Sequence, residues 1–280
     1  MKFIEYTFSL PGDAAEPDIL IAFLNANGYE GFQETGNQLI ACLPESKKDE
    51  SLLEELMKQA GAAGRIKYTS RVLPDINWNE KWERDFQPIE IDDFVRISAS
   101  FHEKDEAFEH EIVIDPKMSF GTGHHETTRL MIRAMKDISF HGKKVADLGC
   151  GTAVLSILAS RLQAEEILAV DIDQWAVRNA HDNVEQNKCS NIVLKHGDTA
   201  ALGDAVFDIL LANINRNVLL ESMFRFSQLL LPGGVLVLSG IMLQDRETVL
   251  VAAENAGFEN KDQFRENDWY ALVFHRTSDQ

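Results

Sequence analysis

The chain has 280 residues, a formal net charge of −18 at pH 7 and a hydrophobic content of 45%. Its length exceeds the usual range for one domain, its apolar content suffices for more than one core, and no apolar run is long enough to span a membrane. The acidic balance argues against a large phosphate-binding surface, so we expect a basic partner and no direct nucleic-acid contact.

Residues 1–73 predict a small α+β domain. Its turn residues and apolar periodicity give a β-α-β-β-α-β order, which is that of a split βαβ, or ferredoxin-like, domain. The predicted elements are a strand at Lys2 to Ser9, a helix near Pro17 to Ala26, a hairpin of Gly31 to Thr35 with Gln38 to Leu43, a helix near Glu50 to Ala60 and a strand at Arg65 to Val72.

A linker is predicted over residues 74–92, followed by a second domain over 93–280. Trp78, Trp82 and Phe86 recur at a spacing of four, which places them on one face of a helix. The simplest interpretation of this aromatic stripe is a docking face between linker and domain. A peptide-binding aromatic site is the less favoured alternative.

Two further strands, Phe94 to Ser100 and Glu111 to Asp115, lead into a polar, glycine-containing segment that ends at Thr128. Such a segment can wrap a ligand with backbone amides and hydroxyls. The alternative is that Thr127 or Thr128 only caps a helix, predicted from Arg129 to about Lys136.

The same segment contains His124, His125 and Glu126 in succession. They lack the H-E-x-x-H spacing and a third ligand, so we predict no metal site.

The segment from Val145 to Val154 reads as a buried strand that passes through a glycine turn into a helix. Gly149 and Gly151 allow a tight turn and close approach of a ligand to the backbone. A dinucleotide fingerprint would need Gly or Ala at Val154, so an NAD dehydrogenase is a distant alternative. With Asp147 the turn reads D-x-G-x-G, which resembles the first motif of class I methyltransferases that bind S-adenosylmethionine.

Polar residues end three following strands of the predicted parallel sheet. Asp171 lies 22 positions past Gly149, where a carboxylate can accept both ribose hydroxyls, while Asp173 suits the N-cap of the helix Gln174 to Asn187. For Asp198, after the next strand, an adenine contact and a turn role stay open. Asn213 follows the fourth strand and reaches the same carboxyl edge of the sheet.

A more specific resemblance extends across the whole chain. Asp115 to Thr128 resembles the D-P-x-x-x-F-G-T-G-x-H-x-T-T signature of the ribosomal protein L11 methyltransferase family. Further similar stretches match in order: Trp78 to Trp82, Asp147 to Gly151, Val170 to Asp173, Ala212 to Ile214 and Leu238 to Ile241.

The resemblance implies an α/β fold: a class I methyltransferase sheet, Rossmann-like and mainly parallel, preceded by the ferredoxin-like domain as a substrate-recognition domain. It implies transfer of methyl groups from S-adenosylmethionine to lysine ε-amines and the terminal α-amine of ribosomal protein L11. The residues implied in cofactor binding are Thr128, Gly149, Asp171 and Asn213, and the glycine turn adds Gly151.

The chain departs from the family pattern at three places. His124 and Glu126 stand where the family commonly has Thr and Pro, and Ala153 stands where it has a third glycine. Ile214-Asn215-Arg216 replaces a common Leu-Ala pair. We expect cofactor binding to survive, since Ala is the smallest substitute for Gly if the backbone angle at Ala153 is ordinary.

No residue is assigned as a general base. Methyl transfer is an in-line displacement by a neutral amine, so positioning supplies much of the catalysis. The hypothesis is that the Asn213 amide oxygen, or a nearby backbone carbonyl, accepts an amine hydrogen. Trp269 and Tyr270, in a predicted C-terminal antiparallel hairpin, are candidate pocket walls, with core packing as the default.

Cysteine usage and the first residues indicate a cytoplasmic protein, which we expect to be a monomer. Cys42, Cys150 and Cys189 are an odd number without metal-ligand spacing, so reduced thiols are expected. The alternating polarity of Met1 to Tyr6 is typical of a strand and not of a signal peptide. Two alternatives remain: a methyltransferase for another protein, RNA or a small molecule, and a cofactor-binding regulator without turnover.

Overall fold

The computed structural model describes residues 3–10, 20–21, 24–25, 27–35, 38–48, 53, 66–72, 87–103, 105, 107–115 and 121–277. The chain forms two compact units, Met1–Phe86 and Gln87–Gln280. The predicted aromatic stripe of Trp78, Trp82 and Phe86 lies outside the described residues, as does most of the two predicted N-terminal helices.

The first unit contains a four-stranded antiparallel sheet. Its strands are β1 (Phe3–Ser9), β2 (Glu30–Thr35), β3 (Gln38–Pro44) and β4 (Lys67–Val72). Their spatial order is β2-β3-β1-β4, and every neighbouring pair is antiparallel. This order is that of a split βαβ fold, as the sequence predicts.

One face of this sheet is buried. Ile4, Tyr6 and Phe8 alternate along β1 with more exposed residues, so the period of two that the sequence shows places them on one side. Leu20 and Leu24, which are helical, pack in the same apolar cluster. The cluster gives the first unit a hydrophobic core of its own.

The second unit begins with a small sheet. Its strands are β5 (Ile89–Ile91), β6 (Val95–Ser98) and β7 (His110–Val113). β5 runs antiparallel to β6, and β6 runs parallel to β7. Strand pairing therefore already begins within residues 74–92, the segment predicted as a linker.

A seven-stranded sheet forms the centre of the second unit. Its strands are β8 (Lys144–Leu148), β9 (Glu166–Asp171), β10 (Ile192–His196), β11 (Phe207–Asn213), β12 (Leu230–Met242), β13 (Phe258–Glu266) and β14 (Trp269–Arg276). The spatial order is β10-β9-β8-β11-β12-β14-β13. The first five strands are parallel, whereas β14 is antiparallel to β12 and to β13. The predicted Rossmann-like sheet with an antiparallel C-terminal hairpin is thus confirmed.

Five helices of this unit are described. They are α1 (Glu126–Lys136), α2 (Val154–Arg161), α3 (Gln174–Gln186), α4 (Arg216–Leu229) and α5 (Arg246–Asn255). Apolar residues of α1, α2 and α3 share one buried cluster, and those of α4 and α5 share another. Because helices cover both faces of the sheet, the inner strands β8, β9 and β11 are mainly apolar on both sides.

No helix within the described ranges combines the length and the apolar character that crossing a membrane requires.

Candidate ligand-binding site

Asp171 and Asn213 end strands on either side of β8, at the carboxyl edge of the sheet. The chain runs from β8 to β9 on one side and later returns to β11 on the other. The strand order therefore reverses at β8. Ligands of open α/β sheets bind in the crevice at such a switch point.

The glycine turn after β8 is fixed by backbone hydrogen bonds. The amides of Gly149 and Cys150 donate to the Val170 carbonyl at 2.8 and 3.1 Å. Gly149 has a φ of +74°, and a Cβ at this position would lie 2.3 Å from Cγ2 of Ile214. Both the backbone angle and the lack of space require glycine here.

The Asp171 carboxylate joins the end of β9 to the glycine turn. Its Oδ2 accepts from the Gly151 amide at 2.8 Å, and its Oδ1 accepts from the Asp173 amide at 2.9 Å. Asp173 caps α3, since its own carboxylate accepts from the Trp175 amide at 2.8 Å. Each Asp171 oxygen retains acceptor capacity beyond these bonds. The ribose role of Asp171 stays a prediction.

Asp147 is a buried carboxyl group in β8. It is 1% exposed, and Oδ2 accepts from the Ser156 hydroxyl at 2.5 Å. Oδ1 has no hydrogen-bond partner among the residues that the structure describes. Burial, helped by the charge of Asp171, raises the pKa of Asp147 to about 7. The site thus holds a half-satisfied carboxyl group.

Cys150 lies in the same turn and is 5% exposed. Burial, together with the nearby charges of Asp147 and Asp171, raises the pKa of its thiol well above the ordinary value. A thiol that resists ionisation is a poor nucleophile. Packing therefore accounts for Cys150, as the sequence favours.

Ala153 adopts the left-handed conformation, with φ +64° and ψ +20°. The expectation that its backbone angle is ordinary is therefore wrong. An L-residue there costs on the order of 1 kcal/mol, which explains why the similar family has glycine at this place. The helix α2 nevertheless begins at the next residue.

Helix α1 begins three residues earlier than predicted. His125 is the N-cap, and its Nδ1 accepts from the Thr127 amide at 3.3 Å. The alternative that Thr127 or Thr128 caps the helix is therefore wrong, since both lie in its first turn. The Thr128 hydroxyl is buried and has no hydrogen-bond partner within the described ranges. The cofactor role of Thr128 stays a prediction.

The loop of residues 121–125 is held at both ends. The Thr152 hydroxyl donates to the Gly121 carbonyl at 2.7 Å, and the Arg129 guanidinium donates to the His124 carbonyl. His125 also packs edge-on against Trp269, with ring centroids 4.9 Å apart. These contacts give His125 capping and packing roles.

Asn213 and the residue after it lie against two glycines. Asn213 stands opposite Ser239 in the β11–β12 register, and its side-chain amide has no hydrogen bond in the described part of the chain. A Cβ on Gly240 would lie 2.0 Å from the Ile214 carbonyl oxygen. Ile214 is therefore enclosed between Gly149 and Gly240. This packing fixes the backbone just after Asn213.

Asn215 and Arg216, which also differ from the family pattern, lie at the start of helix α4. Asn215 caps it by accepting from the Val218 amide at 3.2 Å, and Arg216 pairs with Asp245 at 2.5 Å. Asp198 caps a short 3₁₀ turn through the Ala200 amide at 2.9 Å. The turn role left open for Asp198 is thus observed.

Two buried asparagines, Asn183 on α3 and Asn187 at its C-cap, support the site and were missed from the sequence. Asn183 donates to the Thr152 carbonyl at 3.0 Å and accepts from the Asp115 amide at 3.1 Å. Asn187 accepts from the Val113 amide at 3.0 Å. Their spacing of four, continued backwards by Asn179, places them on one face of the helix and is the signal that could have found them.

The matching family model and the curated relatives carry the same description. The family model described as "Ribosomal protein L11 methyltransferase (PrmA)" matches residues 21–277. A curated relative from Porphyromonas gingivalis, named "Ribosomal protein L11 methyltransferase", is 40% identical and covers 98% of both chains. One of the same name from Bacteroides fragilis is 39% identical over 98% of this chain and 99% of its own.

A solved structure carries a similar description. The crystal structure of "ribosomal protein L11 methylase" from Lactobacillus delbrueckii subsp. bulgaricus superposes with a TM-score of 0.64 at 26% identity. The match covers 69% of this chain and 100% of that one. Sequence and structure comparisons therefore agree.

We predict that Ala153→Gly stabilises the protein. Relief of the left-handed strain, about 1–2 kcal/mol, outweighs the larger unfolded-state entropy of glycine, about 0.4–1 kcal/mol, so the free energy of unfolding should rise by roughly 0.5–1 kcal/mol. Urea unfolding measures this change. The control is Ala159→Gly, inside α2, which should lower the free energy of unfolding because helical glycine is unfavourable. Equal losses in both variants would contradict the prediction.

We predict that Asp147 makes the protein less stable as pH rises. Its folded pKa of about 7 exceeds the ordinary 3.8, so the folded state retains a proton that the unfolded state releases between these values. Stability should therefore fall as pH rises from about 4 to about 7 and level off above. Asp147→Asn removes this dependence, so its stability relative to the parent protein should increase over that interval in urea unfolding.

The control for this pH series is Asp208→Asn. Although burial raises the pKa of Asp208, hydrogen bonds from the Lys144 amide and the Lys143 ammonium lower it overall. Its stabilising effect is therefore lost only on acidification below the ordinary carboxyl range. The variant should lose a constant amount between pH 5 and 8. If the stability of Asp208→Asn relative to the parent protein rose with pH as much as that of Asp147→Asn, the pH dependence could not be assigned to Asp147.

Proposed function

The chain belongs to the ribosomal protein L11 methyltransferase family, and from this premise we propose that it transfers methyl groups from S-adenosylmethionine to amino groups of ribosomal protein L11. The amino groups we propose are lysine ε-amines and the N-terminal α-amine. The family match over residues 21–277 and the curated relatives support the reaction and the protein substrate.

One structural observation carries the cofactor part of this proposal. Two buried polar atoms of the candidate site have no hydrogen-bond partner among the described residues: Asp147 Oδ1, near the end of β8, and the hydroxyl of Thr128, in the first turn of α1. Buried polar groups of native proteins are normally satisfied, so open ones at a switch point indicate a ligand. S-adenosylmethionine offers both a cation and hydroxyl groups, which matches this donor and acceptor set.

We assign the parts of the cofactor to residues as follows. Asp171 receives the ribose hydroxyls, while Gly149 and Gly151 allow the backbone to come close to the ligand. The buried Asp147 carboxyl complements a ligand that brings positive charge, because an opposite charge favours its ionised form. Thr128 supplies a hydroxyl from the first turn of α1.

The bound cofactor supplies an electrophilic methyl group on a positively charged sulfur. The protein's own task is to present a neutral amine to it. A free lysine has a pKa near 10.4, and a neighbouring cation in a dry pocket favours the neutral form of the amine. The side-chain oxygen of Asn213 then accepts an amine hydrogen and aims the lone pair. Catalysis in this scheme is positional, so no general base is assigned.

Charge supports a protein substrate. With a net charge of −18 the enzyme attracts a basic protein and repels nucleic acid at long range. We propose that the first unit, with its split βαβ sheet, recognises this substrate. Trp269 and Tyr270 stay candidate pocket walls, since both are partly buried at the start of β14.

The test is an incubation of the purified protein with methyl-labelled S-adenosylmethionine and ribosomal proteins from cells that lack this enzyme. Mass spectrometry then locates the label. Label on lysine or terminal amines of ribosomal protein L11 supports the proposal. Label found solely on RNA, on small molecules or on another protein would overturn the assigned substrate while keeping the cofactor chemistry.

We predict that Asp171→Ala weakens binding of S-adenosylhomocysteine roughly 10–100-fold, because hydrogen bonds to a charged group are worth about 1.5–3 kcal/mol. Isothermal titration calorimetry measures the Kd. The matched control is Asp173→Ala, two residues on, which removes a helix cap and should leave the Kd within about threefold. Equal weakening in the two variants would argue against a ribose contact at Asp171.

A further inference from the structure

The tip of the β13–β14 hairpin contacts the start of helix α1. We call this contact the hairpin clasp, and it comprises Glu266, Asn267 and Trp269 on the hairpin with His125, Glu126, Arg129 and Arg133 on the helix side. In sequence the two sides lie more than 130 residues apart. The fold therefore brings the hairpin into contact with the end of the segment that resembles the family signature. No pattern in the sequence predicts this contact.

Glu266 is the centre of the clasp. Its Oε1 accepts from Nε of Arg129 at 2.9 Å and also from Nη2 of the same guanidinium, and its Oε2 accepts from Nη1 of Arg133 at 2.6 Å. The three side chains are 20–32% exposed, so the ion pairs are partly shielded from water. Partly buried, charge-assisted pairs of this kind fix geometry better than exposed ones.

The two arginines depend on Glu266 to different degrees. Arg133 also pairs with Asp92 at 3.4 Å, so it retains a carboxylate partner when Glu266 is removed. For Arg129, Glu266 is the one carboxylate within ion-pair distance in the described part of the chain. Loss of the Glu266 charge should therefore release Arg129 and leave Arg133 largely in place.

Arg129 connects the clasp to the ligand-binding site. Its Nη1 donates to the His124 carbonyl, with the Gly123 carbonyl at 3.5 Å. The loop of residues 121–125 is thus held by Arg129 at one end and by the Thr152 hydroxyl, beside the glycine turn, at the other. Thr128, whose buried hydroxyl has no hydrogen-bond partner among the described residues, directly precedes Arg129.

Two more contacts join the same surfaces. The Asn267 amide donates to Glu126 at 3.1 Å, and Trp269 packs on His125. Glu126 is one of the positions where this chain departs from the family signature. Glu126 therefore has a hydrogen-bond partner on the hairpin and is part of the hairpin clasp.

We propose that Glu266 is a positioning residue for cofactor binding, acting through Arg129 on the loop of residues 121–125 and on Thr128. It touches neither cofactor nor substrate. The inference rests on the proposed cofactor binding, to which it adds a residue outside the sheet edge. A merely structural role would change stability, whereas a positioning role changes cofactor affinity in a fully folded protein.

The experiment is a double-mutant cycle of Glu266→Gln and Arg129→Gln, read as the Kd of S-adenosylhomocysteine by calorimetry well below the Tm. Each single variant should bind roughly 10-fold more weakly, and the double variant should bind no more weakly than Arg129→Gln alone, because the two residues act in series. In turnover, the KM for S-adenosylmethionine should rise more than kcat falls.

The matched control is Glu259→Gln on the same strand β13. Glu259 is an exposed glutamate that pairs with Lys261 at 2.5 Å, and its strand position is remote from the hairpin tip. This variant should keep the parent Kd. Should Glu266→Gln fail to fold, Arg129→Lys replaces it: lysine keeps the charge but loses the guanidinium's second bond, and cofactor affinity should again fall.

The outcomes separate the two proposals. Parent-like affinity in both Glu266→Gln and Arg129→Lys, or additive losses in the double variant, would overturn the positioning role while the proposed function stands. Absence of cofactor binding by the parent protein would overturn the proposed function, and the positioning role with it.

Discussion

The hydrogen bonds between the glycine turn and the end of β9 are the constraint on which the site depends. Val170 and Asp171 together accept three amides of the turn, from Gly149, Cys150 and Gly151. Without these bonds, the turn would leave backbone donors unsatisfied in a buried place. The glycine turn also sets where α2 starts, and its Gly149 lies against Ile214, which follows β11. The turn therefore fixes the ends of β8, β9 and β11 relative to one another.

Much of the fold could be predicted from local patterns. Apolar strands that end in polar residues, alternating with helices, predict a parallel sheet, and the carboxyl edge follows from strand direction. Asp171 and Asn213 lie at that edge as the sequence predicts. The predictions that were wrong concern features that depend on tertiary context. A histidine as the N-cap of α1 is unusual, and the left-handed angle at Ala153 is imposed by a turn that the family fills with glycine.

Supporting residues were harder to predict than the edge residues. Asn183 and Asn187 bond to a segment that lies some 70 positions earlier in the chain, and Glu266 reaches α1 across more than 130 positions. Contacts between residues so far apart in the chain leave no pattern in the local sequence. Buried asparagines at helical spacing are the nearest signal, since an amide is rarely buried without a partner. Their partners become visible when the fold is known.

The position of β14 has a consequence for how the protein assembles. β14 lies between β12 and β13, and both precede it in the chain. During synthesis, β13 therefore has no partner in the described sheet, and β12 has an open edge, until residues 269–276 have emerged. Open strand edges invite wrong pairing. The contact of the hairpin tip with α1 includes Trp269 of β14, so it is complete only when β14 has left the ribosome.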